Sequence, residues 1–192
     1  VVALGKPSDR ELRSWYFERY VAHLPSSQEM VLMNRSWYNR AGVERVMGFC
    51  SETEYENFMK SVVPFEQMLI GSGMQIYKYY LDISKDEQER RLRDRRVDPL
   101  KQWKISPIDE VAIEHWDDYS EARDAMFRRT HSEISPWFVV KADDKKTARL
   151  NIIGHLMSLV DCPDKDKHAE QPDAEIVFPF DEIYLQNKII AS

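Results

Sequence analysis

A string of polar and aromatic residues, Asn34-Arg35-Ser36-Trp37-Tyr38-Asn39-Arg40-Ala41-Gly42-Val43-Glu44, follows directly on the hydrophobic run Met30 to Met33. In open α/β sheets ligands bind beyond the carboxyl ends of strands, so Asn34 and Arg35 stand where chemistry is expected. Arg35 and Arg40 each carry a planar fork of N–H donors suited to phosphate oxygens. A polar loop with two surface arginines is the plainer alternative; the amides and aromatics gathered beside them favour a site. A second segment, 90–104, holds seven basic residues (Arg90, Arg91, Arg93, Arg95, Arg96, Lys101, Lys104) against Asp94 and Asp98, a net charge of +5. A positive block in an otherwise acidic chain points to a local polyanion site, although charge runs are usually solvated helix faces. This one follows a strand and leads into a stretch bracketed by Pro99 and Pro107 that contains Trp103. That order resembles a lid over a phosphate site.

Other candidates are weaker. Asp82 ends a strand and could orient a base or a metal-bound water, or simply cap the strand. Asp143 and Asp144 precede a helix, where Asp is ordinarily an N-cap, and a ligand role is the secondary reading. The histidines (His23, His115, His131, His155, His168) have no metal-ligand spacing, and no Ser-His-Asp arrangement stands out. No G-x-x-x-x-G-K-[ST] string occurs. Gly5-Lys6-Pro7 does not substitute for it, because Pro7 lacks the backbone donor that such a loop would use.

The elements that must position these residues alternate between short apolar runs and amphipathic stretches, the pattern of an α/β protein with a mostly parallel sheet. Val1 to Leu4 reads as a buried strand, and Met30 to Met33 as a second. Between them Ser8 and Glu11 form a capping box for a helix to about Leu24, with Leu12, Trp15, Tyr16 and Tyr20 near one face. Ser51 and Glu54 open a helix whose Tyr55, Phe58, Met59 and Val62 follow the i, i+3, i+4, i+7 spacing. Met74 to Leu81 is rich in β-formers, and Ser84 with Glu87 caps the basic helix. Asp118 and Glu121 fit a further cap, for a helix to about Thr130. Trp137 to Val140 is the last core strand and Lys145 to Val160 the last core helix, with Ile152, Ile153, Leu156, Met157 and Val160 inward. After Asp161 the composition turns to Asp, Lys, Pro and Glu, which reads as a mobile tail in which 176–178 and 183–185 could dock locally.

The chain has 192 residues, 43% hydrophobic and 31% charged, and a net charge of −6. This is the balance of one globular domain, with about 150 residues per domain as the guide. It excludes a general nucleic-acid binder, and no apolar run reaches the roughly 18 residues of a membrane helix. Two distant cysteines, Cys50 and Cys162, and the lack of a signal-peptide pattern suggest a cytoplasmic setting.

The string 34–44 resembles the type-2 polyphosphate kinase family. The resemblance continues through Lys6-Pro7-Ser8-Asp9-Arg10-Glu11, Trp15-Tyr16-Phe17, Asp98-Pro99-Leu100-Lys101-Gln102-Trp103-Lys104, His115-Trp116-Asp117-Asp118-Tyr119, Ala142-Asp143-Asp144-Lys145-Lys146 and Ala148-Arg149-Leu150-Asn151, over about residues 1–160. It implies a three-layer, P-loop kinase-like α/β core at 1–160, with a parallel sheet, helices on both faces, a helical lid at about 90–117 and a tail at 161–192. It also implies phosphoryl transfer between inorganic polyphosphate and nucleotides (ADP, GDP or AMP) with Mg²⁺, in a protein expected to be cytoplasmic and homo-oligomeric. By resemblance Arg35 and Arg95 contact the transferred phosphate, and Arg40, Lys101 and Lys104 hold the phosphate chain. The metal position falls on Asn34, where the family carries Asp; a neutral amide oxygen binds a hard cation more weakly. The family's Walker A strand and loop are expected to precede Val1, so this chain alone is expected to transfer little phosphate. The alternative is a non-catalytic polyphosphate-binding or subunit-interaction protein derived from such a kinase.

Overall fold

A computed structural model describes residues 1–104, 111, 113–161 and 171–191, and for Lys104 the backbone alone. Pro107, Cys162, His168 and part of the expected lid lie outside the described residues. The chain forms two compact units, Val1–Val62 and Val63–Ser192.

The first unit is built on aromatic rings rather than on a sheet. The two expected strands reduce to a single parallel bridge, Val2 with Met33. The Val2 N–H donates to the Leu32 carbonyl at 2.8 Å, and the Asn34 N–H donates to the Val2 carbonyl at 2.8 Å. Val1, Met30 and Leu32 are exposed, so the reading of Val1 to Leu4 as a buried strand fails. An interior strand needs neighbours on both sides, and the described residues of this unit supply one partner.

The expected helix from Ser8 to Leu24 breaks in two, α1 (Asp9–Arg13) and α2 (Glu18–Val21). The Ser8 capping box forms as read: the Ser8 N–H donates to Glu11 Oε2 at 2.7 Å, and the Glu11 N–H returns to Ser8 Oγ at 3.4 Å. Extended backbone at Ser14 then ends α1. The break lets Phe17 and Tyr20 reach the core while Leu12 and Trp15 point to solvent, against the single face expected for them. Phe58 gathers the cluster, with ring centroids 5.5 Å from Tyr16, 5.7 Å from Phe17 and 5.9 Å from Tyr38. It comes from a long helix (Glu52–Gly71) opened by the Ser51 cap, whose buried Tyr55, Phe58, Met59 and Val62 keep the predicted spacing. A short helix, α3 (Val43–Val46), precedes this one, which is α4.

The second unit is a three-layer α/β body. Strands β1 (Lys78–Asp82) and β2 (Trp137–Lys141) pair in parallel, Lys78 opposite Trp137 and Asp82 opposite Lys141. Strand period assigns Lys78, Tyr80, Trp137 and Val139 to one face and Tyr79, Phe138 and Val140 to the other. On the first face sits α6 (Trp116–Thr130), with Phe127 5.2 Å from Tyr80 and 5.6 Å from Trp137 between ring centroids. On the second sits α7 (Lys145–Leu159), through His155 against Phe138 at 4.3 Å and Ala148 in a cluster with Val140, Ala142 and Val177. Ile153 is exposed rather than inward, because the helix offers the sheet the stripe through Ala148, Ile152 and His155.

Two caps depart from expectation. His115, not Asp118, precedes α6, and Asp118 sits in the first turn with its carboxylate 2.6 Å from His115 Nδ1. Ser84 does cap the basic helix, α5 (Lys85–Val97), but Glu87 does not reach back to it. Its carboxylate is held by arginines instead.

Beneath the first face lies a network that the sequence did not announce. Lys78 Nζ donates to Glu66 Oε2 at 2.9 Å and to the Thr130 carbonyl at 2.9 Å, and Ser135 Oγ donates to the same Glu66 oxygen at 3.0 Å. Glu66 and Lys78 are buried. Burial pulls the Lys78 ammonium below its ordinary pKa, and Glu66 opposes that shift.

The tail docks. Val177–Pro179 forms β3, antiparallel to β2 at the sheet edge, and Ile183–Gln186 forms the short α8. Docking at 176–178 and 183–185 is as read, but the segment from Asp173 onward is tied down more fully than a mobile tail. The Asp173 N–H donates to Asn151 Oδ1 at 2.6 Å, and Phe178, Phe180 and Ile190 are buried.

Candidate functional site

The polar string after Met33 does not act as one patch. Trp37 and Tyr38 form a 3-10 turn with Asn39 and Arg40, entered through Ser36, and both aromatics go into the core. Arg40 follows them inward. Its Nε donates to Glu44 Oε2 at 2.7 Å, a terminal nitrogen lies 3.7 Å from Glu54, and the guanidinium stacks 4.0 Å above the Tyr16 ring. The Tyr16 hydroxyl in turn lies 2.9 Å from the Trp37 carbonyl and 3.1 Å from Glu44 Oε1, and burial raises its pKa far above the ordinary phenol value. The geometry thus commits Arg40, expected to hold phosphate, to internal partners.

Arg35 is the opposite case. It is exposed, and it has neither a hydrogen bond nor an ion pair among the described residues. Its φ of 67° places a non-glycine residue in the left-handed region, at a cost of about 1–3 kcal/mol. Such strain concentrates at functional sites because the fold elsewhere holds the residue in place. Asn34, beside it, is exposed, and its backbone N–H is spent on Val2.

On the second unit, the +5 segment divides by partner. Glu87 accepts from Arg90 Nε at 2.7 Å and from Arg91 Nε at 2.5 Å, which holds its carboxyl down at about 2. Arg91 also reaches the Ala142 carbonyl at 2.6 Å and the Asp143 carbonyl at 3.0 Å, fastening α5 to the end of β2. Lys101 lies 3.1 Å from Asp98 and 3.4 Å from Asp94, and Asp98 raises its pKa. Arg95 is half-buried, while Arg93 and Arg96 are exposed without a side-chain partner among the described residues. Leu100 and Trp103 beyond them are exposed. The Lys104 side chain lies outside what is described.

The strand-end carboxylates are occupied by the chain itself. Asp82 is buried against Lys141 Nζ at 2.8 Å; Asp143 accepts the Ser84 N–H at 2.8 Å; Asp144 caps α7 through the Thr147 N–H at 2.7 Å. Asp144 is therefore the N-cap of the plainer reading. Among the described residues no three His, Cys, Asp or Glu side chains converge as a metal group. Asn34 alone is a poor start for an Mg²⁺ site, so the residues present do not make a protein cage for that ion.

Sequence reasoning missed Arg91 as a fastener and the Glu66–Lys78 pair. The one available signal for the pair was a Lys inside an otherwise apolar, β-rich run.

Comparison with known proteins identifies the family. Polyphosphate kinase 2 (PPK2) is the family that matches, over residues 1–168. NDP-polyphosphate phosphotransferase 2 of Ruegeria pomeroyi is 52% identical over 92% of this chain and 52% of its own length. GDP-polyphosphate phosphotransferase of Pseudomonas aeruginosa is 53% identical over 93% of this chain and 50% of its own. The chain thus spans about half the length of these curated relatives. The solved structure of Polyphosphate Kinase 2 from Arthrobacter aurescens TC1 superposes with a TM-score of 0.75 at 31% identity, covering 98% of this chain and 64% of that one. No helix among the described residues is long and apolar enough to cross a membrane. The fold is the kinase-like three-layer arrangement expected, with β3 adding an antiparallel edge to the parallel pair, and the chain belongs to the polyphosphate kinase 2 family.

Proposed function

We propose that this chain is the phosphate-handling part of a polyphosphate-dependent nucleotide phosphotransferase. In that reaction a nucleoside diphosphate oxygen attacks the terminal phosphorus of polyphosphate. The bond to the next bridging oxygen breaks, and the chain leaves one phosphate shorter. Such a transfer asks the protein for positioning and for donors around the equatorial oxygens rather than for covalent chemistry. By resemblance to the family, Arg35 of the first unit and Arg95 of the second are each assigned to phosphate contact, and the α5 segment with Lys101 and Lys104 to the polyphosphate chain. Arg40 positions the loop that carries Arg35. The observation that carries the reading is the split among the cations: Arg40 and Arg91 are spent on the protein, while the Arg35, Arg93 and Arg96 side chains are exposed without partners among the described residues.

Mg²⁺ belongs to this reading as charge accompanying the phosphates, and no step here runs through it. The relatives' names support ADP, GDP or other nucleoside diphosphates as acceptors, and AMP is the remaining candidate. A cytoplasmic homo-oligomer is part of the same proposal.

The test is to titrate long-chain polyphosphate at low and high salt, and to assay ADP phosphorylation with Mg²⁺. Binding should weaken as salt shortens the Debye length to about 8 Å and below. It should fall in the R95A/K101A/K104A variant without loss of fold. Salt-independent or absent binding overturns the assignment. Binding without turnover favours the second reading, a non-catalytic binding protein, which Asn34 at the metal position supports.

A further inference from the structure

Arg35 holds a left-handed backbone conformation, which persists only where the surrounding structure fixes the chain on both sides of it. Before it, the Asn34 N–H is bound to the Val2 carbonyl at 2.8 Å. After it, the Trp37 carbonyl accepts from the Tyr16 hydroxyl at 2.9 Å. Arg35 and Ser36 are the residues between these anchors. Tyr16 lies 21 positions from Trp37, in the turn between α1 and α2, and its ring is fixed by packing. The ring centroid is 5.6 Å from that of Phe17 and 5.5 Å from that of Phe58, and the Arg40 guanidinium lies 4.0 Å above it. The hydroxyl has one proton and two acceptors in reach, the Trp37 carbonyl and, at 3.1 Å, Glu44 Oε1. Glu44 gives its other oxygen to Arg40 Nε at 2.7 Å, and a carboxylate already paired competes for the proton less strongly than a free one. The nearer carbonyl keeps it.

We propose that Tyr16 is the positioning residue for Arg35. Its hydroxyl pins the Trp37 carbonyl, the pinned loop holds Arg35 left-handed and exposed, and the Glu44–Arg40 pair directs the hydroxyl to the loop. One hydrogen bond and the strain of one left-handed residue are similar in size, so loss of the first is enough to release the second. Without the pin Arg35 relaxes, and a phosphate group meets the competent loop in only a fraction of the chains. Apparent affinity falls by that fraction. The phosphate partner of Arg35 rests on the function proposed above; the pin itself rests on the hydrogen bonds.

Tyr16→Phe keeps the ring and removes the pin. In an isotope-labelled chain the Cα and Cβ chemical shifts of Arg35, measured by NMR, should leave the left-handed range. Affinity for inorganic tripolyphosphate should fall about fivefold, the equivalent of one ordinary hydrogen bond. Y16F should add nothing to R35A, because Tyr16 acts through that residue. Tyr55→Phe, which removes a hydroxyl that accepts from Arg45 at 2.8 Å in the same unit, should change neither reading. Arg40→Met frees Glu44 to compete for the Tyr16 proton and should move the Arg35 shifts the same way; it serves if Y16F does not fold. Unmoved Arg35 shifts, an equal loss of affinity in Y55F, or a further loss in the R35A/Y16F double variant overturns the proposal. If R35A weakens binding and Y16F does not, this proposal fails and the function reading stands. If R35A leaves binding unchanged, the function reading loses Arg35 and the proposal falls with it.

Discussion

The two units solve the problem of stability with opposite materials. Val1–Val62 has little regular structure and packs rings edge to face around Phe58, with cations such as Arg40 and Arg45 laid over Tyr16 and Tyr55. Val63–Ser192 has a layered sheet and buries an ion pair, Glu66 with Lys78, under one face. In the first unit the cations Arg40 and Arg45 keep some exposure and lean on aromatic faces. In the second, one charge pair is fully desolvated and must be completely partnered to be tolerated. The same residue types therefore do different work: Arg40 and Arg91 are held by a carboxylate, carbonyls or a ring, whereas Arg35 is exposed with no such partner among the described residues.

The largest effect should come from breaking the buried pair. Lys78→Met strands the Glu66 carboxylate and should cost about 3–5 kcal/mol in denaturant unfolding, whereas the double variant with Glu66→Met should recover most of it. If the double variant is as unstable as the single, the pair is not the keystone of the second unit. In the first unit, Tyr16→Phe removes the hydroxyl between the Trp37 carbonyl and Glu44 and should cost about 1–3 kcal/mol, leaving acceptors without a donor.

The two arginines of the polar string sharpen the comparison within one unit. Arg40→Met should lower stability by about 1–2 kcal/mol through loss of the Glu44 pair and the Tyr16 stack. Arg35→Gly should instead stabilise by about 1 kcal/mol, because glycine accepts the left-handed conformation freely, and should weaken polyphosphate binding. Equal stability effects for the two would erase the distinction.

The smallest effect belongs to Glu87. Its folded pKa, about 2 against an ordinary 4.5, is depressed chiefly by its hydrogen bond from Arg90. A depressed carboxyl stabilises the fold fully above the unfolded value and loses that contribution as pH falls from about 4.5 towards 2. Glu87→Gln should therefore cost less than about 1 kcal/mol at pH 7. The difference from the unsubstituted protein should shrink as the solution is acidified through that window, followed by circular dichroism.

Local signals in the chain were enough to fix several elements. The Ser8, Ser51 and Ser84 caps, the apolar spacing from Tyr55 to Val62 and the helix after Asp144 arise from interactions within a few residues and formed where they were read. The β-rich run Met74 to Leu81 became a strand only from Lys78 to Asp82, and the strand read at Trp137 to Val140 runs on to Lys141. The polar string after Met33 and the basic helix were equally visible, because charge and residue type need no fold to be counted. Which cation is free was a different matter. Arg40 and Arg35 are five positions apart and look alike in sequence; Tyr16 and Glu44, brought together by packing, commit one and not the other. Val1 to Leu4 carried a strand's composition but gained one bridge, since a strand's state depends on neighbours it cannot specify. The tail carried a disordered composition yet docked, because Phe178, Phe180 and Ile190 found apolar surface on elements far away in the chain. Local hydrogen bonds and periodicity are written in the sequence. Pairings between distant residues are decided only when tertiary packing removes water from around them.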